Sequence, residues 1–182
     1  MTKSELENRS LAVIIAVCYG GNLLFGWGGY LFCQPSSMAQ VLVYQIGNAF
    51  AISGSVMAGR YVGLRGQQVA GSAYILLGIT HGISLAALGR SSINPDRAIT
   101  MVMPMIPALV FMFWCELYPK WLRLAGMIPC LFFVLVYVNV NSSGAFLGLP
   151  LYSGYATLHV LEVVWSVYLY KDWRALAGTR RE

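Results

Sequence analysis

The chain has 182 residues, 58% of them hydrophobic and 10% charged, with a net charge of +5. Soluble domains run at roughly 45–50% apolar and about 25% charged, so a water-soluble fold of this size could not cover itself with these residues. The basic residues stand at the ends of apolar runs rather than together on an aromatic-interleaved face, which argues against a nucleic-acid partner and makes the positive charge a topology signal.

A helix needs about 20 apolar residues to cross the hydrocarbon core of a bilayer. The length therefore holds six crossings with short links and leaves no room for a separate soluble domain. The expectation is an all-α, polytopic membrane protein: one transmembrane domain over residues 1–182, folded as a six-transmembrane-helix bundle.

The polar start MTKSELENRS leads into a first span at 11–33, with five glycines. Its apolar run exceeds the roughly 7–15 residues of a signal-peptide core, so it is read as a membrane helix. Ala12 with Ala16, or Gly20 with the cluster from Gly26 to Gly29, predicts close helix packing. Span two, 40–63, contains Gln45, Asn48 and Ser53, with Arg60 near its end and Arg65 in the next loop; span three, 69–89, places Thr80 and His81 near its middle. The polar link RSSINPDR leads to span four, 99–118, with Pro104 and Pro107. Each proline removes a backbone donor and favours a kink, and the freed carbonyls need partners, so this span is expected inside the bundle. Span five, 122–140, follows the basic turn PKWLR and runs out into NVNSSG. Span six, 151–170, holds His159 and Glu162 before the tail KDWRALAGTRRE.

Assigning alternate loops to opposite sides puts Lys3, Arg9, Arg60, Arg65, Lys120, Arg123, Lys171, Arg174, Arg180 and Arg181 on one face, and Arg90 and Arg97 on the other. That asymmetry predicts both termini in the cytoplasm and a bacterial inner (cytoplasmic) membrane location, with Trp121 and Trp173 as interfacial anchors. Cys18, Cys33, Cys115 and Cys130 show no metal-binding spacing, so no metal site is expected and buried free thiols are. The chain has no GxSxG, HExxH or phosphate-cradling glycine loop, so no enzymatic chemistry is expected.

Glu162 is the most informative residue. A carboxyl near the centre of an apolar span costs roughly 2.5–3.5 kcal/mol to insert, so it requires a partner or water. His159 lies one turn earlier on the same helix face. One reading is a proton-relaying pair that tunes the protein to pH, because a histidine beside an acid titrates close to neutrality. The other is a neutral acid hydrogen-bonded to a neighbouring helix. His81, the other histidine, falls within about a turn of the depth of His159, a geometry that permits a haem between spans three and six; no cofactor is expected. Asn22, Gln45, Asn48 and Thr80 add neutral polar groups at depth, which either join helices or line a path for a polar solute. Rings of charge suited to an ion are not present.

The stretch YGGNLLFGWGGYL, Tyr19 to Leu31, NAFAISG, Asn48 to Gly54, SAYILLGITHG, Ser72 to Gly82, and the intramembrane Glu162 together resemble the bacterial urea and amide channel family, the AmiS/UreI group. Ile79 and His81 stand where that family has aromatics; its paired phenylalanines and tryptophan-rich fifth helix are not matched, and its termini face outward. The resemblance implies passive passage of urea or short amides through a pore in each protomer of a ring-shaped homo-oligomer. The functional expectation is thus a channel or carrier for a small polar solute such as urea or a short amide, with Gln45, Asn48, Thr80, His81, His159 and Glu162 facing the path. The alternatives are a non-transporting subunit or assembly factor, the substrate-binding component of a vitamin uptake transporter (with Ala12 and Ala16 as its docking site), and a haem-bearing membrane protein.

Overall fold

The computed structural model describes residues 3–87, 94–144 and 148–179. Eight α-helices account for nearly all of them: α1 Lys3–Phe32, α2 Met38–Leu64, α3 Gln68–Ala87, α4 Pro95–Val102, α5 Met105–Met112, α6 Lys120–Ala125, α7 Met127–Ser143 and α8 Gly148–Thr179. α4 runs into α5 and α6 into α7, so the eight helices form six rods. The rods close into a ring: α1 packs on α2 and α8, α2 on α3, α3 on α4 and α5, these on α7, and α7 on α8.

Each boundary has a local cause. Ser37 caps α2 by accepting from the Gln40 amide at 3.1 Å, and Gln40 reaches back to accept from the Ser36 amide at 2.8 Å. Asn94 caps α4 with Pro95 in its first turn, where a missing N–H costs nothing. The break between α4 and α5 falls at Met103 and Pro104, as the proline predicts, whereas Pro107 is accommodated in the first turn of α5. Pro129 explains the second interruption: its ring conflicts with the carbonyl of Ala125, the last residue of α6.

Two expected span ends differ. Span four was expected to reach 118, but α5 ends at Met112 and the chain tightens into turns in which the Trp114 and Cys115 amides donate to carbonyls three residues back. Gln67 then holds Glu116 through both its backbone amide and its carboxylate, each at 3.3 Å. α8 extends beyond 151–170 at both ends, and its tail stays packed: Tyr61 of α2 and Arg65, which caps that helix, both donate to Asp172 Oδ2, at 2.7 and 2.8 Å. This contact also raises the Arg65 pKa, the carboxylate favouring the charged guanidinium.

Polar groups point in and apolar groups out. Asn22, Ser55, Thr80, His81, Ser84, Glu162 and Ser166 are buried, while Val17, Leu24, Phe32, Ile79, Leu131 and Leu135 are exposed. Among the described residues, five stretches are long and apolar enough to cross a membrane: Arg9–Phe32, Met38–Leu64, Gln68–Ala87, Pro95–Met112 and Lys120–Ser143. The fold is therefore all-helical and compatible with a multi-pass membrane protein. α8 differs in carrying His159, Glu162 and several tyrosines in its middle, which lowers its hydropathy.

Glycines bring the helices together. A Cβ on Gly59 would stand 2.9 Å from the Gly71 carbonyl oxygen, and one on Gly71 would stand 3.0 Å from that of Gly59, so α2 and α3 touch backbone to backbone. On α1, Gly21 faces Phe50, Gly26 faces His159 and Gly29 faces Tyr44, while Gly20 and Gly28 have open space. Ala12 is completely buried, so it does not present an outer docking stripe with Ala16.

Candidate functional site

Along the inner face of α8, side chains at every third or fourth position divide the bundle into layers: Tyr155 and His159, then Glu162, then Trp165 and Leu169, then Asp172. The middle layer is a chain of four side chains from four helices. Asn22 of α1 donates through Nδ2 to Glu162 Oε2 at 2.6 Å; His81 Nε2 of α3 lies 2.9 Å from Glu162 Oε1; and His81 Nδ1 lies 3.2 Å from Asn48 Oδ1 of α2. Glu162 and His81 have no exposed surface and Asn22 almost none.

The hydrogen-bond directions fix the protons. Asn48 donates through Nδ2 to the Tyr44 carbonyl at 2.9 Å, which turns its Oδ1 toward His81. Two lone pairs cannot face each other at that distance, so His81 Nδ1 carries a proton. One further proton lies between His81 Nε2 and Glu162 Oε1, giving either a neutral imidazole beside a carboxylic acid or an imidazolium beside a carboxylate. Both distributions are electrically neutral, which avoids the cost of a net buried charge.

On one side of this layer lies a cavity of about 280 Å³. Asn22, Asn48, Ser84, Ser153 and His159 are among its polar residues, and Trp27, Tyr44, Tyr152 and Tyr155 supply much of its wall. Ser84 and Tyr155 satisfy each other at 2.8 Å. The His159 ring rests on Gly26, where a Cβ would stand 2.5 Å from Cε1, and its Nδ1 is buried with no hydrogen-bond partner. On the other side the interior is filled. Tyr19 meets Ser55 at 3.1 Å, Tyr74 hydrogen-bonds Tyr118, and Trp165 stacks on Tyr118 and meets Tyr74 edge-on. All four of these aromatic side chains are buried.

Of the residues expected on a solute path, Asn48 and His159 line the cavity, and His81 and Glu162 lie directly behind it. Thr80 does not join them: its hydroxyl donates to the Leu77 carbonyl at 2.7 Å and contacts Met105. Gln45 is half-buried outside the cavity lining. Of the two arrangements open to Glu162, a pair with His159 on its own helix or a hydrogen bond to another helix, the structure has the second, with His81 and Asn22 as partners. With both His81 nitrogens engaged, neither is free for a haem iron, and the described residues hold no group of three or more His, Cys, Asp or Glu that could bind a metal.

Comparison of the chain with protein-family models, with curated proteins and with solved structures returned no match. The site therefore rests on its own geometry. Sequence reasoning missed Tyr44, Ser84, Tyr155 and Gly26 as cavity residues. Their signal was positional, since each lies about one turn from a polar residue already singled out: Gly26 from Asn22, Tyr44 from Asn48, Ser84 from His81 and Tyr155 from His159.

Proposed function

We propose that this chain is a membrane carrier for a small uncharged polar solute. Its six rods each cross the bilayer, with both termini on the cytoplasmic side of a bacterial inner membrane. α8 supplies the sixth crossing: at 32 residues it spans about 48 Å, more than the hydrocarbon core requires. Its Glu162 and Ser166 face inward, while Val160 and Val167 face outward. The orientation follows from charge. Arg9 lies beside Trp173 and Arg174, Arg65 binds Asp172, and Trp121 contacts Tyr168, so basic ends gather around the C-terminal part of α8, with Arg97 at the start of α4 as the described exception. Lys3, Arg90, Arg180 and Arg181 have side chains outside the described residues.

The observation that carries the reading is the one-ended cavity, floored by Asn22 and Asn48 and backed by the packed layer of Tyr19, Tyr74, Tyr118 and Trp165. A pocket that stops at a packed layer, rather than running through the bundle, favours a protein that alternates over a continuous pore. This favours a carrier over the open passage implied by the likeness to urea and amide channels, while keeping the same class of neutral solute. Asn22 and Asn48 join the cavity to the Glu162–His81 pair, so solute occupancy and the position of the shared proton are linked through two side chains.

Proteoliposomes containing the purified full-length chain test this reading. Uptake of labelled acetamide or urea should saturate with concentration and fall at least tenfold in Asn22→Ala and Asn48→Ala. Flux that rises linearly without saturation would mark an open pore, and flux equal to that of protein-free vesicles for both solutes would remove transport of small amides.

A further inference from the structure

We infer that the cavity is built for an uncharged, ring-bearing ligand of roughly single-ring size with one hydrogen-bonding edge, rather than for a solute as small as urea. This inference rests on the carrier reading and names its substrate class. Three observations point to it.

The first is size. At about 280 Å³ the space lies near the lower limit for pockets that take drug-sized molecules. Urea, with its handful of heavy atoms, would leave most of it empty. The second is the wall. Tyr44, Tyr152, Tyr155 and Trp27 present aromatic surface, to which a flat ring can stack with a gain that a small amide cannot match. Tyr155 is itself held in place by Ser84 at 2.8 Å and by an edge contact with Phe133, 5.3 Å between ring centres.

The third is the disposition of polar groups. Among the described residues no Asp, Glu, Lys or Arg lines the cavity. The nearest acid, Glu162, is already neutralised by sharing a proton with His81 and accepts from Asn22. A permanently charged ligand would therefore enter without a countercharge. A neutral ligand finds the amides of Asn22 and Asn48 and the ring of His159, whose Nδ1 is itself turned onto Gly26, in the same floor. These groups sit together at the inner end, so the ligand places its hydrogen-bonding edge inward and its ring between the aromatic walls.

The full-length protein in lipid nanodiscs can be titrated with two neutral ring probes, benzamide and uracil, and with benzoate, benzamidinium and urea, following tryptophan fluorescence and the thermal midpoint. At least one neutral ring probe is expected to bind at least tenfold more tightly than urea and than either charged ring. Its affinity should fall at least tenfold in His159→Ala and in Gly26→Ala, the latter filling the space under the ring without removing a polar group. Equal binding of urea or of a charged ring, no binding of either neutral probe at millimolar concentration, or binding unaffected by both substitutions would each overturn the inference. Acetamide uptake that persists without ring binding would preserve the carrier and remove the ring preference. Ring binding without transport of the bound probe would preserve the site and remove the carrier.

Discussion

His81 on α3 and Glu162 on α8 are 81 positions apart in the chain and 2.9 Å apart in space. Both are fully buried. Removing one leaves the other as an uncompensated polar group in the interior, a change that costs about 3–5 kcal/mol. His81→Ala and Glu162→Ala are each expected to show a loss of that order in unfolding experiments in detergent micelles. The double variant should lose less than the sum, with a coupling energy of about 1–3 kcal/mol. Glu162→Gln is milder, about 1 kcal/mol, because its carbonyl still accepts from Asn22 and its amide can donate to His81 Nε2. A strictly additive cycle would show that the pair does not act as a unit.

The orientation of Asn48 makes a spectroscopic prediction. Nitrogen-15 NMR of the reconstituted protein should find His81 protonated on Nδ1, with Nε2 either bare or sharing its proton with Glu162. Asn48→Leu removes the acceptor for that Nδ1 proton and is expected to cost about 1–2 kcal/mol. A spectrum with a bare Nδ1 and a proton fixed on Nε2 would contradict the hydrogen-bond directions.

The glycines of α1 and α2 make a graded series. Gly59→Ala drives a Cβ to 2.9 Å from the Gly71 carbonyl oxygen, where backbone must yield, and should cost about 1–3 kcal/mol. Gly26→Ala meets the movable His159 ring instead, so a smaller loss of stability and a larger loss of cavity volume are expected. Gly20→Ala and Gly28→Ala meet nothing within 4 Å and should gain up to about 1 kcal/mol of helix propensity. Thermal midpoints of the four variants in one lipid composition provide the comparison. Equal losses across the series would mean that the close approaches do not limit packing.

The helical class and five of the apolar stretches were legible in composition and run length, because burying backbone hydrogen bonds inside helices leaves a long uniform signal. The kink at Pro104 was legible for the same local reason, and Pro129 carried an equally readable warning of the α6–α7 break. Which polar side chains meet was harder. His159 and Glu162 are neighbours on one helix, and the sequence offers that pairing directly; the pairing of Glu162 with His81 depends on which faces of α3 and α8 turn to the centre. Depth matching was already enough to bring His81 level with α8, and extended from His159 to Glu162 it would have suggested the contact. Thr80 was misplaced because a hydroxyl can satisfy its own helix by donating to Leu77, which no spacing rule reveals. Gly59, Gly63 and Gly71 were visible as letters, but their role required knowing that α2 and α3 cross at that point.

The shared proton between His81 and Glu162 bears on how the protein responds to voltage. A transmembrane potential does work on net charge, about 2.3 kcal/mol for each elementary charge moved through 100 mV. A cavity whose described lining has no ionic side chain, backed by a pair that sums to zero, offers that field no handle. Loading and release by such a carrier are driven by the solute gradient, and an imposed diffusion potential of either sign leaves the initial rate of uptake unchanged.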